Sequence, residues 1–204
     1  MDLRFHKAKW GNHPRVRAAD SAWQKPFAWN RKAARDGVRR RVFCSHYSDV
    51  FDNQVPDEWR SDLWTLIARC PDLDWLLLTK RPQNIAKMLT AGWPWPHVWL
   101  GVTGENQIEW NRRVPILTAI PAAVRFVSVE PMLEPIKADL ADISWVICGG
   151  ETDPAGKHRE RYMDPDWARD LLSQCRAARV TFFMKQMSSR ASIPADLLVR
   201  EWPR

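Results

Sequence analysis

The residues best suited to chemistry in this sequence of 204 residues are polar and charged side chains that directly follow short apolar runs. The cations among them can neutralise a phosphate or a carboxylate. The carboxylates can pair with those cations, hold a ribose or an ammonium group, or act as acid and base. The predicted ligand-binding residues are Ser45, His46, Asp49, Thr79, Lys80, Arg81, Thr103, Glu105, Asn106, Glu130, Gly149, Gly150, Glu151, Lys185 and Gln186. Glu130, Glu151 and Lys185 are the candidates for a catalytic role.

The same residues have a structural alternative, a ring of salt bridges that fills the mouth of a barrel. For the set as a whole a binding site is favoured, because burying so many charges without a function is costly. The most specific local motif is Gly149-Gly150-Glu151. Two glycines let a backbone pass close to a ligand, and their amides can face an anion. A plain turn is the alternative for this motif.

A metal site is not predicted. The four cysteines, Cys44, Cys70, Cys148 and Cys175, lie more than twenty residues apart, so no CxxC-type spacing exists. Buried reduced thiols are expected instead. His46 is the only His at a predicted strand end with neighbouring carboxylates, and one His does not make a metal site. No cofactor is evident from these residues.

Six apolar runs that each stop at a polar cluster indicate the fold. The clearest, Trp75 to Leu78, has too many consecutive apolar residues for a half-exposed strand and suits one buried on both faces of a parallel sheet. The predicted strands lie at 42–46, 76–78, 98–102, 124–130, 143–148 and 180–184. The predicted helices lie at 27–37, 57–70, 83–89, 105–118 and 164–178.

Strand starts separated by roughly 20 to 37 residues are typical of βα units. Right-handed crossovers then allow an open doubly wound sheet or an incomplete barrel. We expect an α/β fold, an incomplete parallel (β/α) barrel of about six strands with a basic N-terminal arm, because polar clusters close nearly every strand. In such a fold the carboxyl ends of the strands gather the candidate residues at one rim.

The charge of the chain is uneven. Residues 1–41 carry twelve Lys and Arg against three Asp and Glu, whereas the whole chain has a net charge of +7. A basic arm on a near-neutral body favours contact with nucleic acid or another polyanion, and a solvated surface segment is the alternative. The predicted organisation is a basic arm with a short helix at 1–41, a partial barrel at 42–187 and a C-terminal tail at 188–204.

Targeting signals are not predicted either. The longest apolar run is far shorter than the roughly 20 residues that cross a bilayer. The N-terminus has no apolar signal-peptide core. A cytoplasmic protein without a membrane partner is therefore expected.

An ordered set of motifs resembles the phage "Gp thirty-seven / Gp sixty-eight" protein family. The likeness runs from about residue 10 to 187. The motifs that carry it are Val42-Phe43-Cys44 with Ser48-Asp49-Val50-Phe51, Val55-Pro56-Asp57-Glu58-Trp59, Leu77-Leu78-Thr79-Lys80-Arg81-Pro82, Val98-Trp99-Leu100-Gly101-Val102-Thr103, Val124-Arg125-Phe126-Val127-Ser128-Val129-Glu130-Pro131, Trp145-Val146-Ile147-Cys148-Gly149-Gly150-Glu151 and Phe182-Phe183-Met184-Lys185-Gln186.

That family is similar in outline to radical S-adenosylmethionine barrels, and its members usually begin with a segment of three closely spaced cysteines that can hold an iron–sulfur cluster. The present sequence begins past such a segment, so either the start is truncated or this member has lost the cluster. S-adenosylmethionine and the cluster are implied only if an upstream three-cysteine segment exists. The resemblance supports the barrel and the rim residues. It does not equate Gly149-Gly150-Glu151 with the methionine-binding turn of radical enzymes, because here the motif follows a late strand.

Two main hypotheses for function follow. The first is an enzyme with a barrel of radical S-adenosylmethionine type that acts on a nucleotide or nucleic acid. The second is a cluster-free module whose basic arm binds nucleic acid and whose rim binds a small anion. A hydrolase that uses the rim carboxylates is a weaker third hypothesis, because no nucleophile–base pair supports it.

Overall fold

A computed structural model describes residues 14–45, 48–153 and 160–203. Its helices are α1 (Asp20–Asp36), α2 (Asp57–Ala68), α3 (Ile85–Met88), α4 (Gln107–Thr118) and α5 (Pro165–Ala177). Its strands are β1 (Arg40–Cys44), β2 (Leu73–Thr79), β3 (Val98–Thr103), β4 (Val124–Val129), β5 (Trp145–Gly149) and β6 (Thr181–Gln186). Short 3-10 turns lie at Pro82–Asn84, Ser188–Arg190 and Ala195–Leu197.

Within the described residues, the six strands form one sheet in which every neighbouring pair is parallel and the spatial order follows the chain order. The sheet curls into a half-barrel, and helices cover its convex face. The predicted α/β incomplete barrel of about six strands is therefore confirmed. The basic N-terminal arm stays a prediction, because residues 1–13 lie outside the described residues.

Strand β2 shows why the apolar runs indicated two buried faces. Trp75 and Leu77 belong to the core between the sheet and the helices. Leu76 belongs to a second cluster on the concave face, and Leu78 packs against that cluster. A strand covered on both sides cannot alternate apolar with polar residues, so β2 is apolar from Trp75 to Leu78.

Helix α1 begins at Asp20, seven residues before its predicted start. Pro26 lies inside the helix and argued against a helix there. Trp23 and Phe27 lie one turn apart and contact the guanidinium groups of Arg17 and Arg69, at 4.3 and 4.8 Å from the ring centroids. These two contacts stabilise the N-terminal part of the helix, and the apolar periodicity of the sequence does not predict them.

The other boundaries differ from the predicted ones by a few residues, and two differences have a clear cause. Strand β1 begins at Arg40 because it pairs with the long strand β2 from Leu73 onwards. Helix α4 continues unbroken through Pro115 to Thr118, although a proline favours a break within the helix predicted at 105–118. A proline near the end of a helix removes few hydrogen bonds, so the last turn persists.

The concave face of the half-barrel is filled by aromatic rings. Trp145 contacts Trp99 edge to face at a centroid distance of 6.0 Å and Phe126 at 5.6 Å. The Phe126 ring lies directly over Gly101, where an added Cβ would be 2.3 Å from a ring carbon. Glycine on β3 therefore leaves the space that this ring occupies.

The C-terminal segment closes the same face. Residues 199–201 pair antiparallel with the free edge of β6 through the Met184 amide and the Phe182 carbonyl, at 2.8 and 2.9 Å. Trp202 then stacks 4.7 Å from Trp145, and the Arg41 guanidinium from β1 lies 4.1 Å from its ring. The segment predicted as a tail therefore joins β6 and β1, the two ends of the sheet.

Replacing Trp202 tests this closure. We expect Trp202→Ala to lower the free energy of unfolding by about 2 kcal/mol, less than for a fully buried ring because Trp202 is half-buried. Urea denaturation followed by circular dichroism measures the change. Tyr162→Ala removes a side chain that is 70% exposed and is the control, with an expected change within about 0.5 kcal/mol. Equal effects of the two substitutions would contradict the closure.

Candidate functional site

The carboxyl ends of the six strands place the polar residues at one rim of the half-barrel, as parallel pairing requires. In the described part of the chain, the charged side chains of the rim form ion pairs arranged in three groups. The first is centred on Asp49 after β1, and the second on Glu105 after β3. The third joins Glu130, after β4, and Glu151, after β5, to residues of later segments.

The group around Asp49 joins the loops that follow β1 and β2. One carboxylate oxygen of Asp49 accepts hydrogen bonds from the Thr79 hydroxyl at 2.8 Å and the Arg81 guanidinium at 3.1 Å. The other oxygen accepts the Phe51 amide at 2.9 Å. Because both oxygens are occupied and the side chain is nearly buried, Asp49 positions Thr79 and Arg81 at the rim.

Asp52 extends this group. It accepts the Arg15 guanidinium at 2.7 Å and lies 3.6 Å from that of Arg81. Burial raises the pKa of Asp52, but hydrogen bonds from the Gln54 amide and from Arg15 outweigh it, so the pKa is lowered overall. Asp52 therefore remains ionised, and it ties residues that precede the sheet to the rim.

The second group surrounds Glu105. One oxygen of Glu105 contacts the Lys80 ammonium, and the other accepts a hydrogen bond from Arg113 at 2.6 Å. Arg113 is buried and also donates to the Thr103 carbonyl at 2.9 Å and to the Glu109 carboxylate at 2.7 Å. Burial raises the pKa of Glu105, but the bonds with these cations lower it by more. Glu105 is therefore an ionised carboxylate that holds two cations.

The Glu130 pair crosses the end of a strand. Lys185 on β6 reaches the Glu130 carboxylate, which follows β4, at 2.5 Å. Strand β5 lies between them and ends at Gly149. An added Cβ at Gly149 would lie 3.4 Å from the Glu130 Cγ, in ordinary van der Waals contact. The absence of a longer side chain at this position lets the ion pair span β5.

Glu151 forms a two-pronged ion pair with Arg161. The two carboxylate oxygens accept hydrogen bonds from the Arg161 guanidinium at 2.6 and 2.9 Å. One of them also accepts a hydrogen bond from the Arg161 amide at 2.9 Å. The hydrogen bond from this guanidinium is the main reason that the pKa of Glu151 falls to about 2. A carboxylate with so low a pKa does not accept or deliver a proton near neutral pH, so Glu151 is poorly suited to acid–base catalysis.

The backbone at Gly149 and Gly150 contacts another segment of the same chain. The Gly150 amide donates to the Gln186 carbonyl at 2.9 Å, and the Gln186 side chain donates to the Gly150 carbonyl at 2.9 Å. An added Cβ at Gly150 would lie 2.1 Å from the Ser188 nitrogen. The chain that passes close to this turn is therefore the segment after β6.

Two further predicted ligand-binding residues, Ser45 and Asn106, form local contacts instead. Ser45 follows β1 with a positive φ of 54°, and its hydroxyl lies 3.5 Å from the Cys44 sulfur. Asn106 caps α4, where its side-chain oxygen accepts the Glu109 amide at 2.8 Å. His46 lies outside the described residues.

Sequence reasoning missed five residues of the network: Arg15, Asp52, Glu109, Arg113 and Arg161. Arg113 had a detectable signal, because it interrupts the apolar stripe of α4 formed by Trp110, Val114 and Leu117. A charged residue on a buried helix face needs a charged partner. Arg161 lies in the irregular connection between β5 and α5, and no local sequence pattern predicts its contact with Glu151.

The two lysines distinguish the rim from a buried salt-bridge ring. The side chains of Lys80 and Lys185 are 55% and 50% exposed, whereas their partners Glu105 and Glu130 are 12% and 21% exposed. The lysine side chains are therefore more accessible to a ligand from solvent than the carboxylates with which they pair. Glu105 retains Arg113 when Lys80 turns away, so releasing Lys80 leaves no unpaired buried charge.

Metal and cluster ligands are not brought together here. Among the described residues, no group of three or more His, Cys, Asp or Glu could hold a metal ion. All four cysteines are buried, and burial raises the pKa of Cys44 to about 11 and that of Cys175 to about 12. Thiols of this kind are poor cluster ligands, because the thiolate is the form that binds metal. The four cysteines therefore do not fit the iron–sulfur cluster that the resemblance implied.

Comparison with known proteins assigns a family without an activity. A family model described as "Protein of unknown function (DUF5131)" matches residues 2–195. The chain belongs to this family. The match does not carry the phage family name that the motifs suggested. No curated protein and no solved structure matches the chain.

In the described part of the DUF5131 chain, no helix is long and apolar enough to cross a membrane. The apolar runs of the sequence are short. Those runs form the strands of the half-barrel.

The two glycines of the turn predict different mutational effects. Gly150→Ala forces the segment at Ser188 to move, so we expect it to lower the free energy of unfolding by about 2 kcal/mol or more. Gly149→Ala meets only ordinary contacts, and we expect a change below about 1 kcal/mol. Urea denaturation of both variants measures the difference. A larger loss for Gly149→Ala than for Gly150→Ala would contradict this account.

The low pKa of Glu151 predicts a stability that depends on pH. A carboxyl whose pKa is depressed in the folded state stabilises above its ordinary value of 4.5, and this contribution is lost as the pH falls towards about 2. We expect the stability gap between the unmodified protein and Glu151→Gln to be constant near neutral pH and to shrink below pH 4.5. Urea titrations at a series of pH values measure it. In the Arg161→Ala background the pH-dependent part of the gap disappears, and a gap independent of pH would refute the assignment.

Proposed function

We propose that the carboxyl rim of the DUF5131 half-barrel binds a small anionic ligand of the nucleotide class. The observation that carries this proposal is the exposure of Lys80 and Lys185 above carboxylates that are mostly buried. Both side chains are about half exposed at the end of the sheet where ligands of parallel α/β folds collect. Phosphate oxygens are suited to such groups, because each accepts a charge-assisted hydrogen bond.

An apolar surface adjoins these cations on the concave face. Phe43 on β1 is 41% exposed and is in register with Leu76 of the concave cluster. Leu78, further along β2 towards the rim, is only partly buried. A ligand with a phosphate and a flat apolar ring matches this combination better than inorganic phosphate does, which supports a nucleotide over a simple anion.

A radical S-adenosylmethionine reaction is the second candidate. It is favoured by the half-barrel of parallel strands in chain order, which agrees with the outline that the resemblance implied. Against it, the four cysteines do not fit a cluster, so no step of such a reaction follows from the described residues. S-adenosylmethionine and ATP share the adenosine group and differ in charge. Comparing the affinity of the protein for each therefore separates the two candidate functions.

Isothermal titration calorimetry of the full chain with ATP, and separately with S-adenosylmethionine, tests both. For ATP we expect binding that weakens by about tenfold or more in Lys80→Met and in Lys185→Met, because each loses a charge-assisted hydrogen bond worth about 1.5–3 kcal/mol. Lys137→Met removes an exposed lysine that pairs with no carboxylate of the rim among the described residues, and we expect it to leave the affinity unchanged. Circular dichroism shows that each variant is folded.

The outcomes are distinct. Binding of ATP that depends on both rim lysines supports the nucleotide site. Binding of S-adenosylmethionine but not ATP at the same lysines favours the second candidate. No heat with either probe, or equal affinity in the rim variants and in Lys137→Met, overturns the proposal.

A further inference from the structure

Helix α1 has one face against the protein and one face towards the solvent. On the inner face Pro26 and Ala33 are buried, and Asn30 exchanges hydrogen bonds with Asp72 at 2.8 and 3.1 Å. The outer face presents Lys25, Trp29 and Lys32, which follow one another at steps of four and three residues and so share a side of the helix. Trp29 is 43% exposed, which is unusual for so large an apolar ring.

The cations of this outer face lack close ion-pair partners in the described part of the chain, although Lys32 is near enough to help lower the pKa of Asp36. Lys25, Arg31 and Lys32 are exposed and form no ion pair with a carboxylate of the described residues. Other cations nearby are already used, since Arg17 pairs with Asp62 at 2.6 Å. Residues 14–41 contain nine Lys and Arg against two Asp and Glu, so this region carries the excess positive charge of the described chain.

We infer that the outer face of α1 binds single-stranded nucleic acid, with the Trp29 ring stacked on a base and Lys25 and Lys32 on flanking phosphates. The seven-residue separation places the two lysines about 10 Å apart along the helix axis, with Trp29 between them. Aromatic stacking combined with a cationic backbone contact is the way single strands are bound without sequence preference. Charge complementarity therefore selects the polyanion, and the exposed ring selects a strand with accessible bases.

An anionic lipid surface is a different partner for a basic helix. A helix that lies in a membrane interface needs a broad apolar face that enters the acyl region. The outer face of α1 offers one large apolar side chain, Trp29, beside the small Ala28. The other large apolar residues of α1, Trp23 and Phe27, already pack against the protein core together with Ala33, and the exposed Ala22 and Ala34 are small. The structure therefore favours nucleic acid over lipid.

Fluorescence anisotropy with a labelled twenty-nucleotide DNA strand of mixed sequence tests the inference on the full chain. We expect Lys25→Gln/Lys32→Gln to weaken binding about tenfold and to reduce the dependence of log K on log salt by about 1.4, at roughly 0.7 per phosphate contact for single strands. The matched control, Lys87→Gln/Lys137→Gln, makes the same charge change at two exposed lysines elsewhere. It leaves the salt slope unchanged.

Trp29 separates stacking from charge. Trp29→Ala is expected to weaken binding at least fivefold with the salt slope unchanged, and Trp29→Phe to restore most of the loss, because loss of a stacked ring affects affinity without changing phosphate contacts. Tyr162→Ala, which removes another exposed aromatic ring, is the control and leaves the affinity unchanged.

Three results would overturn the inference: no binding at low salt, the same loss in the control variants, or full affinity in both α1 variants. Vesicles that contain phosphatidylserine provide a further arm in a sedimentation assay. Binding to these vesicles without binding to the oligonucleotide would assign α1 to a membrane surface. Because α1 lies outside the carboxyl rim, its variants leave ATP binding intact, so failure here and failure of the proposed nucleotide site are distinguishable.

Discussion

Parallel hydrogen bonding between consecutive strands is the constraint on which the other features of this molecule depend. Each strand must be followed by a segment that returns to the opposite end of the sheet before the next strand begins. With six strands in chain order, this places every post-strand loop at one rim and the returning helices on the convex face. Loops that are distant in the chain thereby become neighbours, and Lys185 meets Glu130 across 55 residues.

The carboxyl rim contains many partly buried charged side chains. Ion pairs between them offset the free-energy cost of that burial. Burial alone would raise the pKa of a carboxylate such as Glu105 and neutralise it. The Lys80 ammonium counters this most strongly, and the buried Arg113 guanidinium, which also contacts Thr103 and Glu109, adds to the effect. The carboxylates are thus held in place by ion pairs, and the side chains of Lys80 and Lys185 keep about half of their surface in solvent.

A half-barrel has two sheet edges that a closed barrel lacks, and exposed edges are prone to pair with other chains. Residues 199–201 pair with one edge, and Trp202 extends from there to Arg41 on the strand at the other end. The same arrangement separates two regions of different chemistry. The carboxyl rim has charges of both signs in contact, whereas the outer face of α1 has cations without partners among the described residues. A compact ligand suits the first region and an extended polyanion suits the second.

The amino-acid sequence by itself determined the strands and their parallel arrangement, because a run such as Trp75 to Leu78 is stable only when both faces are covered. It also located most rim residues, since polar side chains at strand ends must lie at the carboxyl edge. Only the tertiary structure decided which charges pair, that Gly150 makes room for the chain at Ser188, and that Trp202 closes the concave face. The physical reason is the distance along the chain over which each feature is set. Apolar periodicity is a local property of the sequence, whereas ion pairs and ring contacts join distant residues through irregular loops, which have no periodic pattern.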